Sequence, residues 1–166
     1  MVTNTERIQA NNAELREAIQ MAENLPDVGG GSAEDALNVL NALIDKSITD
    51  IVCGAETIGN NAFYYCYYLE RVDLLNAETI STSVFYRCHS LKTLILRSSR
   101  LCTLSNTNAF SYCYHLLGTT DATYNPNGDK DCYIYVPSAL IEDYKAATNW
   151  STYASQFRTI EGSEYE

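Results

Sequence analysis

Three segments of the chain repeat the pattern Phe-x-x-Cys-x-x-Leu, and this repeat constrains the fold more than any other feature. The segments are residues 58–74, 80–96 and 104–117, at periods of 22 and 25 residues. They align as Phe63, Phe85 and Phe110, then Cys66, Cys88 and Cys113, then Leu69, Leu91 and Leu116. A single copy this short cannot bury its own apolar edge. The copies are therefore predicted to stack, with like residues in contact.

Each copy combines two periodicities. Phe, Cys and Leu recur at every third residue, which indicates a short helical or 3₁₀ turn with one face inward. Alternating apolar residues follow, at Val72 and Leu74 and again at Leu94 and Leu96, and indicate a short strand. In the third copy residues 118–131 replace this strand. We therefore expect the third copy to lack it.

The cysteines fit the same column. The start of the chain has no basic region followed by an apolar run, so we expect no secretion signal and six reduced cysteines. Cys66, Cys88 and Cys113 are predicted to form an inner column of small, buried side chains. Disulfides between neighbouring copies remain an alternative by distance. Cys53 and Cys132 are predicted to lie in the core.

The residues between the repeated Phe, Cys and Leu are predicted to face outward or to lie at the boundary. These twelve positions hold seven tyrosines and two histidines. Two interpretations remain open: the rings pack on neighbouring copies, or they form a recognition face for a protein or a glycan. The candidate binding residues are Tyr64, Tyr65, Tyr67, Tyr68, Tyr86, Arg87, His89, Tyr112, Tyr114 and His115.

The repeat resembles the BspA-type leucine-rich repeat, and the sequence ETIGNNAFYYCYYLERVDL at residues 56–74 matches the pattern nearly throughout. The second copy departs from it with Ser81 in place of glycine. The resemblance covers roughly residues 48–162 and implies an α/β fold, a short leucine-rich-repeat solenoid with helical caps. It also implies binding rather than catalysis, as in adhesins, bacterial surface proteins and prophage-encoded proteins.

Residues 7–31, RIQANNAELREAIQMAENLPDVGGG, resemble N-terminal segments of phage or prophage tail-associated proteins from gut Firmicutes. The capping-box spacing of Thr3 and Glu6 and an apolar stripe predict a helix at about residues 4–24. The resulting organisation is a helical arm at 1–28, a Gly-rich linker at 29–32, a cap helix at 33–49, repeats at 50–131 and a C-terminal cap at 132–166. The arm helix could form a homo-oligomer through residues 4–24.

The C-terminal cap is predicted to begin with a strand at 133–136. Pro137 and Ser138 then start a helix, whose inner face carries Leu140, Ile141, Tyr144 and Ala147. A second helical turn is predicted to contain Trp150, Tyr153 and Phe157. These residues would cover the last repeat, because the end copy of a solenoid otherwise exposes its apolar interior.

The charge distribution and hydropathy exclude some partners. Residues 1–57 carry a net charge of −7 and residues 118–166 carry −5, whereas residues 58–117 carry +2. Acidic ends argue against nucleic-acid binding, which needs a basic face. No apolar run reaches 18 residues, so membrane insertion is not expected. The expected location is a virion, or the bacterial cytoplasm before assembly; the alternative is the cell surface, by a route without a Sec signal.

Motifs that carry chemistry are not found in the sequence, and we predict no catalytic residue, metal or cofactor. Cys88 beside His89 could suggest a nucleophile pair, but adjacent residues in a turn rarely face each other. Zinc at Cys88, His89, Cys113 and His115 would require inward and outward side chains to share one ion. Residues 125–131 lack the closing glutamate of a calcium loop and predict a surface turn. The predicted function is non-catalytic binding in a phage or prophage virion, or alternatively in a bacterial cell-surface adhesion protein.

Overall fold

The computed structural model describes residues 49–166. The predicted arm and linker, with the oligomerisation helix at 4–24, lie outside these residues. So does all of the predicted cap helix at 33–49 except its last residue. Within residues 49–166, no helix has the length and apolar character needed to cross a membrane.

Two parallel sheets run through the described part of the chain. The long sheet has five strands, β1 (Asp50–Cys53), β3 (Arg71–Leu74), β5 (Thr93–Leu96), β7 (Tyr133–Val136) and β8 (Phe157–Thr159). The short sheet has three, β2 (Thr57–Ile58), β4 (Thr79–Ile80) and β6 (Thr103–Leu104). The fold is thus mixed α/β with parallel sheets and few helices, which is compatible with a short leucine-rich-repeat fold.

The strand register follows the sequence repeat. Arg71 pairs with Thr93 in the long sheet, and Thr57 pairs with Thr79 in the short sheet, so both steps equal 22 residues. Each copy forms one rung: a short strand, the Phe-x-x-Cys-x-x-Leu turn, and a long strand. The polypeptide therefore returns to the same position once per copy.

The predicted inner columns are present. The rings of Phe63 and Phe85 stack with their centroids 5.3 Å apart, and those of Phe85 and Phe110 are also 5.3 Å apart. Phe85 and Phe110 are fully buried, whereas Phe63, in the first described rung, is half-buried. The three leucines of the motif are buried as well.

The cysteine column is joined by thiol hydrogen bonds. The Sγ of Cys88 donates to the carbonyl oxygen of Phe63 at 3.2 Å, and the Sγ of Cys113 donates to that of Phe85 at 3.1 Å. Burial raises the pKa of Cys113 well above its ordinary value. All six cysteines are thiols in the structure. A small side chain with a weak donor thus satisfies a carbonyl of the preceding rung.

The prediction that the third copy lacks its strand is wrong. Tyr133 of β7 pairs with Thr93 of β5, so β7 occupies the place that β5 holds in the second rung. Residues 118–131 form an insertion before this strand rather than a substitute for it. The sequence does not reveal that β7 belongs to the third copy, because the insertion separates the strand from Leu116 by more than a dozen residues.

The C-terminal segment contains a 3₁₀ helix (Ser138–Leu140), α2 (Ile141–Ala146) and a second 3₁₀ helix (Trp150–Gln156), while α1 (Tyr114–Leu117) lies in the third rung. Trp150 and Tyr153 contact the ring of Phe110, with centroids 6.0 and 5.4 Å away. Its spacing predicts Phe157 in a helical turn, but Phe157 begins β8, where it pairs with Ile134.

Side chains of this segment bind the backbone of the third rung. The hydroxyl of Tyr144 accepts the N–H of Cys102 at 3.0 Å, and the indole N–H of Trp150 donates to the carbonyl of Cys102 at 2.7 Å. Asn149 donates to the carbonyl of Leu104 at 2.7 Å. These bonds satisfy polar groups along β6, the last strand of the short sheet, which would otherwise be unpaired.

Candidate interaction surface

The candidate binding residues lie in the turns that connect each short strand to the following long strand. The turns are held one above another by backbone bonds: the N–H of Tyr65 donates to the carbonyl of Tyr86, and the N–H of Arg87 donates to that of Ser111, both at 2.9 Å. Residues at equivalent positions therefore form columns that run from rung to rung on the surface.

One column alternates ring, cation and ring. The guanidinium carbon of Arg87 lies 5.0 Å from the ring centroid of Tyr65 in the rung before it and 5.2 Å from that of Tyr112 in the rung after it. A hydrogen bond that the guanidinium donates to the hydroxyl oxygen of Tyr67 raises the pKa of Arg87. Arg87 is thus a charged contact between neighbouring rungs.

The same three positions have left-handed backbone conformations, with φ of 64° at Tyr65, 63° at Arg87 and 64° at Tyr112. For a residue other than glycine this conformation costs roughly 1–2 kcal/mol. At Tyr65 and Arg87 the cost is offset by the bond of the same residue's N–H to the next rung. The turn therefore fixes both the inter-rung bond and the direction of these side chains.

Tyr64 and Tyr86 form a second column, stacked with centroids 4.9 Å apart and an interplanar angle of 12°. Tyr64 also contacts Tyr65 at 4.3 Å, and Tyr86 contacts Tyr112 at 5.2 Å. Tyr64 and Tyr112 expose 41% and 45% of their surface. They therefore offer accessible ring area at the margin of an otherwise packed set of rings.

The third column centres on His89. Its ring lies 4.8 Å from Tyr67 and 4.6 Å from Tyr114, and the ring of Tyr124 covers it at 4.5 Å. His89 is 8% exposed, and neither ring nitrogen has a hydrogen-bond partner within residues 49–166. Burial lowers the pKa of His89 from its ordinary value of 6.5. Two unpaired buried nitrogens make this residue costly for stability.

His115 does not face outward as the repeat pattern predicted. It is 6% exposed, its Nδ1 bonds to Oδ1 of Asp131 at 2.5 Å, and its Nε2 bonds to the carbonyl oxygen of Tyr124 at 2.9 Å. Both nitrogens are used to hold the insertion at residues 118–131 against the third rung. His115 therefore has a structural role in the third rung, and a role of this buried ring in binding stays a prediction.

The insertion adds Tyr124 to the surface, a residue that sequence reasoning missed. Tyr124 contacts Tyr67 at 6.3 Å and Tyr68 at 6.1 Å, besides His89. The Oδ1 of Asp121 accepts the backbone N–H groups of Thr123 and Tyr124, both at 3.0 Å. These bonds lower the pKa of Asp121. The one feature of the sequence that could have indicated Tyr124 is the position of the insertion, directly after the third turn.

Asn125 fixes the shape of the insertion, within the segment predicted as a surface turn. It is 1% exposed, and its side-chain amide donates to the carbonyls of Tyr114, Thr119 and Asp129 at 3.3, 3.1 and 2.9 Å. Its Oδ1 accepts the N–H of Asp129 at 2.9 Å. This bonding explains how a 14-residue insertion presents Tyr124 in a defined position.

We call the resulting set the tyrosine face. It consists of Tyr64, Tyr65, Tyr67, Tyr68, Tyr86, Arg87, His89, Tyr112, Tyr114 and Tyr124. Its members come from all three turns and from the insertion. Ring-to-ring contacts connect them into one continuous surface, so a partner could contact several rings at once.

The structure offers little support for chemistry at the Cys88–His89 pair. The Cys88 thiol donates to Phe63 in the core column, while His89 is enclosed by tyrosine rings. Among residues 49–166, no group of three His, Cys, Asp or Glu side chains is arranged to hold a metal ion. The four residues considered for zinc lie within this part of the chain.

The family model of the BspA-type leucine-rich repeat region, which comprises six copies, matches residues 38–120. The match spans half of the chain and includes all three turns. The chain belongs to the BspA-type leucine-rich-repeat family. The family is a non-enzymatic interaction domain, and leucine-rich-repeat domains generally bind proteins. No curated protein matches the chain.

Proposed function

We propose that this BspA-type domain binds a protein partner through the tyrosine face. The observation that carries the proposal is the continuity of that face across three rungs and the insertion, with Tyr64 and Tyr112 exposed at its margin. Tyrosine supplies a large contact area and loses little conformational freedom on binding, because it has only two side-chain torsions. Interfaces are enriched in tyrosine and arginine, and both are present here.

A matched pair of double variants tests the face. Tyr64→Ser with Tyr112→Ser removes its two most exposed rings. Leu75→Ser with Leu101→Ser removes two side chains of similar exposure, 39% each, from the loops that follow β3 and β5 at the opposite edge of the rungs. Both variants should keep the melting temperature close to that of the unaltered protein.

The binding assay uses an array of purified bacterial surface proteins, virion proteins and glycans. For a protein ligand, the tyrosine variant should bind at least about tenfold more weakly, since two interface tyrosines each contribute more than about 1 kcal/mol. The leucine variant should bind as the unaltered protein does. An equal loss of binding in both variants would refute the proposal that the tyrosine face is the binding surface. Binding to glycans alone would refute the proposal that the partner is a protein.

The finer proposal is that the chain is a virion-associated component of a phage or prophage tail. It is supported by the resemblance of residues 7–31 to tail-associated segments. The alternative, a bacterial cell-surface adhesion protein, is supported by the surface proteins that carry similar repeats. In the tail proposal, the arm attaches or oligomerises while the repeats present the tyrosine face.

Location separates these two proposals. After prophage induction, a tail component should sediment with purified particles and resist protease on intact, uninduced cells. An adhesion protein should be cleaved by protease on intact cells and should be missing from particles. A chain found in neither fraction would contradict both proposals.

The predicted oligomer is tested separately by mass photometry of the chain and of a variant that lacks residues 1–28. If the arm oligomerises, the deletion should reduce the particle to one chain. An unchanged number of chains per particle would exclude the arm as the contact.

A further inference from the structure

Arg87 carries a positive charge that no carboxylate neutralises within residues 49–166. In the same part of the chain, Arg97 pairs with Asp73 and Arg100 pairs with Glu78, each at 2.8 Å. None of the ion pairs within these residues involves Arg87. Arg87 is half-buried, so part of its side chain still contacts solvent. Solvent and neutral groups therefore stabilise its charge in the unbound protein.

The neutral groups around Arg87 are tyrosines. Its guanidinium carbon lies 5.0, 5.8 and 5.2 Å from the ring centroids of Tyr65, Tyr86 and Tyr112. The hydroxyl oxygens of Tyr67 and Tyr86 accept hydrogen bonds from the guanidinium. Its Nε is buried and has no hydrogen-bond partner within residues 49–166. Rings and hydroxyls attract a cation, but they do not supply the negative charge that a guanidinium binds most strongly.

The carboxylate at the edge of the tyrosine face is used by the insertion. The Oδ1 of Asp121 accepts the backbone N–H groups of Thr123 and Tyr124 at 3.0 Å each. These bonds hold the turn from which the ring of Tyr124 covers His89. Asp121 thus shapes the insertion and forms no ion pair with Arg87 in the structure. The counter-charge for Arg87 must come from outside the described part of the chain.

A partner on the tyrosine face would remove the remaining solvent from Arg87. The rings of Tyr65 and Tyr86 contact Tyr64 on one side, and Arg87 lies against Tyr112 on the other. A partner that covers both exposed rings would therefore also cover the guanidinium. Removing water from a charge is costly unless an opposite charge replaces it. A carboxylate meets this need best, because it can accept two parallel N–H bonds from one guanidinium.

We propose that the protein partner of the tyrosine face places one aspartate or glutamate carboxylate on Arg87. This inference rests on the proposed function, since it assigns the chemistry of the partner at that same face. The contact is single and local, because the whole chain carries a net charge of −10 and would repel an extended acidic surface. The rings supply contact area, and the ion pair fixes the orientation of the partner.

The probe for this inference is a random peptide library displayed on phage and selected on the full, unaltered chain. Peptides are retained when Tyr64→Ser with Tyr112→Ser weakens their binding, because these peptides use the tyrosine face. Each retained peptide should contain an aspartate or glutamate that binds Arg87. Its replacement by asparagine or glutamine should weaken binding at least about tenfold, since it leaves the guanidinium covered and unpaired.

Two arginine variants of the chain assign the contact. Arg87→Gln removes the guanidinium from the face, and Arg100→Gln removes the same charge from the loop after β5, where Arg100 pairs with Glu78. In Arg87→Gln, the acidic peptide and its amide counterpart should bind equally. In Arg100→Gln, the tenfold preference for the acidic peptide should remain. A purely structural role of Arg87 would weaken both peptides by the same factor and leave their ratio unchanged.

The possible outcomes separate this inference from the proposed function. The inference alone is overturned if the retained peptides need no carboxylate, or if their preference for it survives in Arg87→Gln. Loss of the preference in both arginine variants would indicate long-range attraction and would overturn it as well. If no selected peptide depends on Tyr64 and Tyr112, the proposed function fails together with the inference.

Discussion

The inner and the surface columns of the three turns differ in composition although they share one spacing. Inside, phenylalanine stacks on phenylalanine at 5.3 Å. On the surface, the column through His89 places an imidazole between two phenol rings at 4.8 and 4.6 Å, and the column through Arg87 places a cation between two rings. The interior repeats one shape, whereas the surface columns through Arg87 and His89 alternate chemical types.

The difference shows that stacking alone does not identify a binding residue. The rung spacing brings every turn residue against its counterpart in the next copy, whether or not the residue has a function. Contacts among the tyrosines therefore support the packing interpretation as well as the recognition interpretation. What distinguishes candidate contact residues is accessible ring area, and Tyr64 and Tyr112 have the most of it within the tyrosine face.

The largest loss of stability is expected when a residue of an inner column is removed. Phe85→Ala should lower the free energy of unfolding by about 3–5 kcal/mol, because it leaves a cavity between two stacked rings. Phe63→Ala should cost less, since Phe63 is half-buried and has one ring neighbour in its column among residues 49–166. Urea denaturation measures both, and a loss below about 1 kcal/mol for Phe85→Ala would refute the register.

The next largest loss of stability is expected from a change of His115, which is buried against the insertion. His115→Phe keeps a ring but removes the bonds to Asp131 and to the carbonyl of Tyr124, so we expect a loss of about 1–3 kcal/mol. Amide hydrogen exchange should also increase in residues 118–131. Unchanged exchange there would show that His115 does not hold the insertion.

The same substitution at His89 should change the free energy of unfolding in the opposite direction. His89→Phe keeps the stack and removes two buried nitrogens that have no hydrogen-bond partner among residues 49–166, so stability should be unchanged or higher by up to about 1 kcal/mol. The pKa of His89 is lowered in the folded state, so below about pH 6.5 the unfolded state binds a proton that the folded state does not. Stability should therefore fall as pH decreases from 6.5, and His89→Phe should reduce this slope. A steeper slope in the variant would contradict the assignment.

The smallest effect is expected at the margin of the tyrosine face. Tyr64→Ala should cost less than about 1 kcal/mol, because the ring is 41% exposed and loses only surface ring contacts. Tyr67→Ala should cost more, since Tyr67 is half-buried against His89 and Tyr124. Thermal unfolding followed by circular dichroism compares the two. A larger loss for Tyr64→Ala would favour a purely structural role for this surface.

The interior of the fold could be predicted because its residues are the same in every copy. Phe63, Phe85 and Phe110 reveal the rung by their spacing alone. The strand β7 could not be placed in the same way, since the insertion removes the fixed distance from Leu116. For residues 1–48, the arm, the linker and the cap helix remain predictions.

The surface was only partly predictable. The Phe-x-x-Cys-x-x-Leu spacing correctly places seven tyrosines between the inner residues. It predicts the same outward direction for His89 and His115, however. Burial of His115 depends on Asp131 and on the backbone of Tyr124, which lie in the insertion and have no counterpart in the other copies. Contacts that occur only once cannot be read from a repeat.

The bonds from Tyr144, Asn149 and Trp150 to β6 have a consequence for how an array of this kind can change in length. Backbone groups of Cys102 and Leu104, with which a fourth short strand would pair, are already occupied by these three side chains. An extra copy added after the third would have to displace them. An extra 22-residue copy inserted between the first and second copies would instead contact an ordinary rung on each side. Lengthening by duplication is therefore confined to positions before the third rung, which the C-terminal segment covers.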